Sequence, residues 1–206
     1  MANYAVTRDR VEHYFDRTAT KTWERLTSDA PVSGVRATVR AGRDRMRALM
    51  LAQLPEDLRG ARMLDAGCGT GAMAVELAQR GADVVAVDIS PALVGIAEKQ
   101  MPANLSGRIT WVAGDMLDAT DGMFDHVVAM DSMIYYTAPD IAAVLGKASP
   151  RVNGKFVFTL PPRTPALMAM WRVGKLFPRA DRSPTMIPQT TAGVANALRE
   201  ADIKGR

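Results

Sequence analysis

The chain is poor in the residues that usually carry catalysis or crosslinks. Its 206 residues include one cysteine, Cys68, and two histidines, His13 and His126. A lone thiol excludes an intramolecular disulfide framework and makes a reducing cytoplasm the expected setting. So few soft or imidazole ligands give no reason to expect a protein metal site. Aromatic residues make up only 6% of the chain. No apolar run approaches the ~20 residues needed to cross a bilayer, and the opening "MANYAVTRDR" has no apolar core of a signal peptide. The net charge of +4 is too small an excess to call for nucleic acid. There is no internal repeat and no low-complexity tract.

What the chain does have is a hydrophobic content of 48%, enough to build one full core. Short apolar strands alternate with helices. "ARMLDAG", "ADVVAVDIS", "RITWVAGD", "FDHVVAMDS" and "GKFVFTL" read as strands. Between them, "GAMAVELAQRG" reads as a helix ended by Gly81, "PALVGIAEKQM" as a helix with Pro91 in its first turn, and a third helix runs from about Pro139 to Ser149. This alternation predicts an α/β fold, a mostly parallel sheet with helices on both faces. Two segments stand outside it. Residues 1–60 form an arginine-rich, helical N-terminal arm, the candidate lid. Residues 161–188, rich in Pro, Met and Arg, form an insert after the fifth strand, too long for an ordinary connection. The division expected is an arm over 1–60 and a core over 61–206.

The most informative stretch is "LDAGCGTG", Leu64 to Gly71, between the first strand and its helix. In an open parallel sheet, ligands bind beyond the carboxyl ends of the strands. Gly67, Gly69 and Gly71 allow a tight turn and close approach of a ligand. Asp88, about 20 positions after Gly67, ends the second strand, where a carboxylate accepts the hydroxyls of a ribose. The loop is G-x-G-x-G rather than the dinucleotide G-x-G-x-x-G, and Asp65 precedes it. A carboxylate there repels a pyrophosphate but suits an ammonium and a sulfonium. Cys68 at a helix start is open to a lowered pKa, but with no histidine beside it a plain small-residue role is the stronger reading.

These residues resemble the first motif of the class I S-adenosylmethionine methyltransferases, D/E-x-G-x-G-x-G. The resemblance implies S-adenosylmethionine as cofactor and S-adenosylhomocysteine as product. It implies a cofactor site made of Asp65, Gly67, Cys68, Gly69, Asp88, Ile89, Ser90, Asp115, Met116 and Met130, with Asp115 and Met116 near the adenine. "MDSM" after the fourth strand lacks the Asn/Asp-Pro-Pro-aromatic motif usual in base-modifying enzymes, which argues against nucleic acid as substrate.

The flanking blocks "RVEHYFDRTATKTWERL", "VRATVRAGRDRMRALML", "MDSMIYY" and "GKLFPRADRSP" resemble the magnesium-protoporphyrin IX O-methyltransferases of bacteriochlorophyll synthesis, over nearly the whole chain. The resemblance implies methyl transfer to a propionate carboxylate, with magnesium present only as part of the porphyrin. A propionate with a pKa near ~4.5 is ionised at neutral pH and needs no general base. The candidate catalytic residues are Tyr14 and Tyr135; relatives from plants and cyanobacteria carry His at the latter position. Tyr136, Met168, Trp171, Arg179 and Arg182 are the candidate substrate contacts. Contact with a magnesium chelatase subunit and peripheral attachment to the photosynthetic membrane are further expectations. Arg36, Arg40, Arg43 and Arg47 recur at helical spacing. They read either as a solvated face above a core stripe or as cations some of which meet propionates or a partner. His13 reads as a surface helix residue and His126 as structural. The closing "ADIKGR" reads as the start of a sixth strand.

Overall fold

The computed structural model describes residues 2–16, 34–117, 121–165, 168–169 and 184–203. The described chain begins with two helices, α1 (Ala2–Tyr14) and α2 (Gly34–Leu51). The alternating part follows: β1 (Arg62–Ala66), α3 (Ala72–Gln79), β2 (Asp83–Asp88), α4 (Pro91–Gln100), β3 (Arg108–Ala113), β4 (His126–Ala129), α5 (Ala138–Ala148), β5 (Phe156–Phe158) and α6 (Thr191–Glu200). The five strands make one sheet in the order β3-β2-β1-β4-β5, with every pairing parallel. The order reverses between β1 and β4, so the crevice at their carboxyl ends is the place where this architecture binds ligands.

Strand periodicity explains the layers. Leu64 and Ala66 of β1 face one side with Val85, Val87, Val127 and Ala129, under α5 and α6. Met63 faces the other side with Val84, Ala86 and Val128, under α3. The N-terminal helices divide between the two faces. Val11 of α1 joins the first cluster, whereas Met50 and Leu51 of α2 join the second. The two helices therefore reach the strand ends from opposite sides of the sheet.

Helix ends follow local chemistry. Ser90 caps α4 by accepting the Leu93 N–H, with Pro91 in the first turn, and Thr137 and Thr190 cap α5 and α6 in the same way. Gly81, at φ +94°, closes α3, with the Ala82 N–H bonded to the Leu77 carbonyl.

One expectation is overturned here. Residues 201–203 do not begin a strand. Asp202 takes φ +53°, its N–H bonds the Arg199 carbonyl, and the Ile203 N–H bonds the Leu198 carbonyl. That is a Schellman ending, with Ile203 packed beside Leu198 on the core. The local ending takes up residues 201–203, and the rest of "ADIKGR" lies outside the described residues.

Candidate active site

A cleft of about 660 Å³ opens at the carboxyl ends of β1, β2, β3 and β4, within the size range of small-molecule sites. The glycine loop forms its floor. Gly67 has φ +84°, and a Cβ there would lie 2.3 Å from the Cβ of Ser132, so only glycine lets the loop after β4 pack against it. Gly69 has φ +55° and open space where a side chain would stand. The loop is tied to β2 by Asp88, whose Oδ2 accepts the Gly69 N–H at 2.7 Å and whose Oδ1 accepts the Ser90 N–H at 2.9 Å. Asp88 thus has a structural duty besides the ribose contact read from sequence.

Asp65 is the most unusual group. It is 1% exposed, and its Oδ2 has no hydrogen-bond partner. Burial, and then the charge of Asp88, push its pKa up to about 7, against a bond from the Ala74 N–H. A buried acceptor without a partner, at the edge of a cleft, is costly unless a ligand completes it. Ser132 Oγ is a second unpartnered buried atom lining the same cleft. The unpartnered Asp65 oxygen, the Asp88 carboxylate and the side chains of Ile89 and Met116 thus bring acceptors and apolar surface to one cleft.

Cys68 is 8% exposed, and burial pushes its thiol pKa well up, with Asp88 and Asp65 adding to the effect. The lowered pKa that a helix start permits is therefore not found. Two neighbouring carboxylates and the loss of water outweigh it, and Cys68 is a packing residue of the loop.

The other side of the cleft is built by the N-terminal helices. Tyr4, Arg8 and Val11 of α1, and Phe15 directly after that helix, all line it. Their spacing of four, three and four places them on one helical face. Tyr4 donates to Asp115 Oδ1 at 2.9 Å and stacks on Tyr136 with centroids 4.9 Å apart. Arg8 reaches Asp115 Oδ2 at 3.4 Å. Asp16 accepts a hydrogen bond from the Ser90 hydroxyl at the start of α4. Burial raises the pKa of both Tyr4 and Tyr136, keeping both phenols protonated. From α2, Arg40, Arg43 and Arg47 line the cleft, and Arg43 pairs with Asp131 at 2.5 Å.

Most of the residues singled out in the sequence come together. Asp65, Gly67, Cys68, Gly69, Asp88, Ile89, Asp115, Met116, Met130, Tyr135 and Tyr136 line the cleft, and Ser90 lies just beneath it. Tyr14 is not among the lining residues; its ring meets Phe15 edge-on. Met168 also lies off the lining. Trp171, Arg179 and Arg182 fall outside the described residues. His126 sits within β4 and its Nδ1 accepts the Lys155 N–H, a structural role as read. Sequence reasoning missed Tyr4, Arg8, Asp16, Asp131 and Ser132. The α1 face was detectable by its spacing, but Arg8 in the middle of the stripe disguises it.

The chain is 60% identical over 188 residues to the magnesium-protoporphyrin O-methyltransferase of Rhodobacter capsulatus, spanning 91% of this chain and 84% of that protein. The chain belongs to the magnesium-protoporphyrin O-methyltransferase family. The enzyme of that name from Synechocystis is 28% identical over 91% of this chain and 83% of its own length. The family pattern described as the magnesium-protoporphyrin IX methyltransferase C-terminus matches residues 129–206, and a general methyltransferase-domain pattern matches 63–153. The crystal structure of the Synechocystis enzyme with bound SAH superposes with a TM-score of 0.74 at 25% identity, over 93% of this chain and 87% of that one. A class I S-adenosylmethionine methyltransferase fold is thereby established for this family member, in agreement with its parallel sheet.

Proposed function

We propose that the protein methylates one propionate carboxylate of magnesium-protoporphyrin IX, using S-adenosylmethionine, to give the monomethyl ester. The observation that carries this reading is the division of charge within the cleft. Asp65, Asp88 and Asp115 stand at the ends of β1, β2 and β3, Asp115 beside Arg8, whereas Arg40, Arg43 and Arg47 line the cleft from α2, Arg43 paired with Asp131 and Arg47 with Asp44. The acidic half suits a sulfonium and an ammonium; the basic half suits a carboxylate nucleophile.

When bound, S-adenosylmethionine supplies a methyl on a positive sulfur, the ionised propionate oxygen takes it, and the ester and S-adenosylhomocysteine result with no proton changing hands. The chain's own task is to orient and to exclude water. Opposite charges vanish as the new bond forms, so water favours the separated ions and a dry site lowers the barrier. Tyr4 and Val11 of α1, with Phe15 directly after it, cover the strand ends for that purpose. Placing carboxylate and methyl in line contributes up to ~7–11 kcal/mol, the dominant effect available without a base. Tyr135, which lines the cleft, and Tyr14, which adjoins Phe15 at its edge, are proposed to orient the propionate. As part of the same proposal, the porphyrin is received by direct contact with a chelatase subunit at the membrane surface. No described helix is long and apolar enough to cross that membrane.

The test is transfer of label from S-adenosylmethionine to porphyrins offered with and without magnesium. Label in the monomethyl ester of the magnesium porphyrin supports the reading. Preferred transfer to an unrelated phenol or amine overturns it.

A further inference from the structure

The Arg43–Asp131 pair has features that packing does not explain. Both side chains are 24% exposed, so they sit at the wall of the cleft rather than in the core. Asp131 follows β4 with φ +58°, a left-handed conformation that a residue with a Cβ adopts at a cost. It is held there by its own N–H, which donates to Thr159 Oγ1 at 2.8 Å. Strain at a strand's carboxyl end, facing a ligand cleft, points to function rather than stability. Arg43 is carried to it from α2, which packs on the far face of the sheet. Burial lowers the Arg43 pKa, and Asp131 opposes that shift. The guanidinium nonetheless keeps its charge, because arginine does not deprotonate in proteins.

We propose that Arg43 is the substrate-binding residue that selects for a free carboxylate, and that Asp131 is the positioning residue that aims it. The proposal rests on the porphyrin reading above. A guanidinium is a planar fork with five donors and takes carboxylates two-pronged. Asp131 fixes the plane of that fork through Nη1 and offsets its charge. Without Asp131 the guanidinium keeps its charge in the cleft wall but loses the bond that sets its plane. Without Arg43 the Asp131 carboxylate would repel the incoming propionate. Arg40 lines the same wall one turn before Arg43, whereas Arg47, one turn after it, is paired with Asp44 at 2.7 Å. Specificity then follows from chemistry: an esterified propionate offers no charge, so the diester is disfavoured and the reaction stops after one ester where only one propionate reaches Arg43.

The experiment measures equilibrium binding of magnesium-protoporphyrin IX and of its dimethyl ester by quenching of tryptophan fluorescence, alongside S-adenosylhomocysteine affinity and turnover. Wild type should bind the diacid at least tenfold more tightly than the diester. Arg43→Gln should bring diacid binding down to the level of the diester or below it, leaving diester and S-adenosylhomocysteine binding unchanged and raising KM more than it lowers kcat. Arg43→Lys should recover part of the discrimination. Asp131→Asn should keep diacid affinity and lose kcat, because the fork is present but misaimed. The role of Arg43 is overturned if Arg43→Gln keeps the wild-type discrimination, or if it weakens diacid, diester and cofactor binding alike. Should Arg43→Gln fail to fold, Arg43→Lys decides alone, and wild-type discrimination and KM in that variant overturn the two-pronged contact. Wild-type protein that methylates no porphyrin removes the functional reading itself, a result distinct from wild-type turnover with an indifferent Arg43.

Discussion

Asp65 shows how burial turns an ordinary side chain into a ligand-seeking one. Its raised pKa has a definite sign. The folded protein holds the proton more tightly than the unfolded chain, whose Asp titrates near ~3.9. The associated stability is present at low pH and is lost as pH rises through about 7. An ammonium prefers the ionised form, so binding of S-adenosylhomocysteine should strengthen from pH 5.5 up to about 7 and then level off. The slope should stay below ~10-fold per pH unit for a single proton. Calorimetry with Asp65→Asn should give a flat profile over the same range; an unchanged slope would assign the titration elsewhere. Asp88 makes a different prediction, because it holds Gly69 and Ser90 in addition to the ribose contact proposed for it. Asp88→Ala should weaken S-adenosylhomocysteine by roughly 1.5–3 kcal/mol, the range for hydrogen bonds to a charged group. It should also lower Tm, which loss of a ribose contact alone does not do. The glycine loop and its two flanking carboxylates were legible because few other ligands need that combination. Asp131 and Ser132 were not, since their meaning lies in a backbone angle and an unpartnered hydroxyl that no spacing rule reports.

Among the elements, α1 carries the most distinctive load. Its Tyr4 touches Asp115 and Tyr136, and Asp16, two residues past its end, accepts a hydrogen bond from Ser90. Tyr4→Ala removes a stacked pair worth about 0.5–1.5 kcal/mol and a hydrogen bond worth about 0.5–1.5 kcal/mol. It should loosen α1 and leave the sheet intact. The check is limited proteolysis, in which cleavage of residues 2–16 should accelerate while the sheet core persists; equal resistance would show that α1 is held by other contacts. Tyr14→Phe tests a separate point. If its hydroxyl acts on the propionate, kcat should fall by about 10- to 100-fold, equivalent to ~1.4–2.7 kcal/mol, with cofactor affinity retained. Unaltered turnover would leave Tyr14 a packing residue beside Phe15. The strand and helix alternation was readable from periodicity and caps, Pro91 and Gly81 included. The end of α6 was misread because "ADI" in "ADIKGR" has the same small-polar-apolar pattern as "ADV" at the entry to β2, and only the left-handed Asp202 separates a helix ending from a strand.

For the whole molecule, the central claim is that a parallel sheet with one acidic and one basic wall brings an ionised carboxylate against a methyl donor. Each wall depends on a different part of the chain. The acidic wall is local to the strand ends and was visible in "LDAGCGTG" and Asp88. The basic wall comes from α2, packed through Met50 and Leu51 on one face, while α1 closes over from the other. Sequence alone left the arginines of α2 with two readings, because a cationic stripe beside an apolar stripe also describes an ordinary surface helix. Only the packing of α2 against the sheet aims Arg43 at the cleft. The most direct measurement is single-turnover transfer of labelled methyl to magnesium-protoporphyrin IX, with S-adenosylmethionine saturating, across about pH 6.5 to 8.5. An ionised propionate needs no base, so the account predicts a flat rate and label that alkaline hydrolysis releases as methanol. A tenfold rise per pH unit, label resistant to hydrolysis, or no transfer from a folded protein that binds S-adenosylhomocysteine would contradict it.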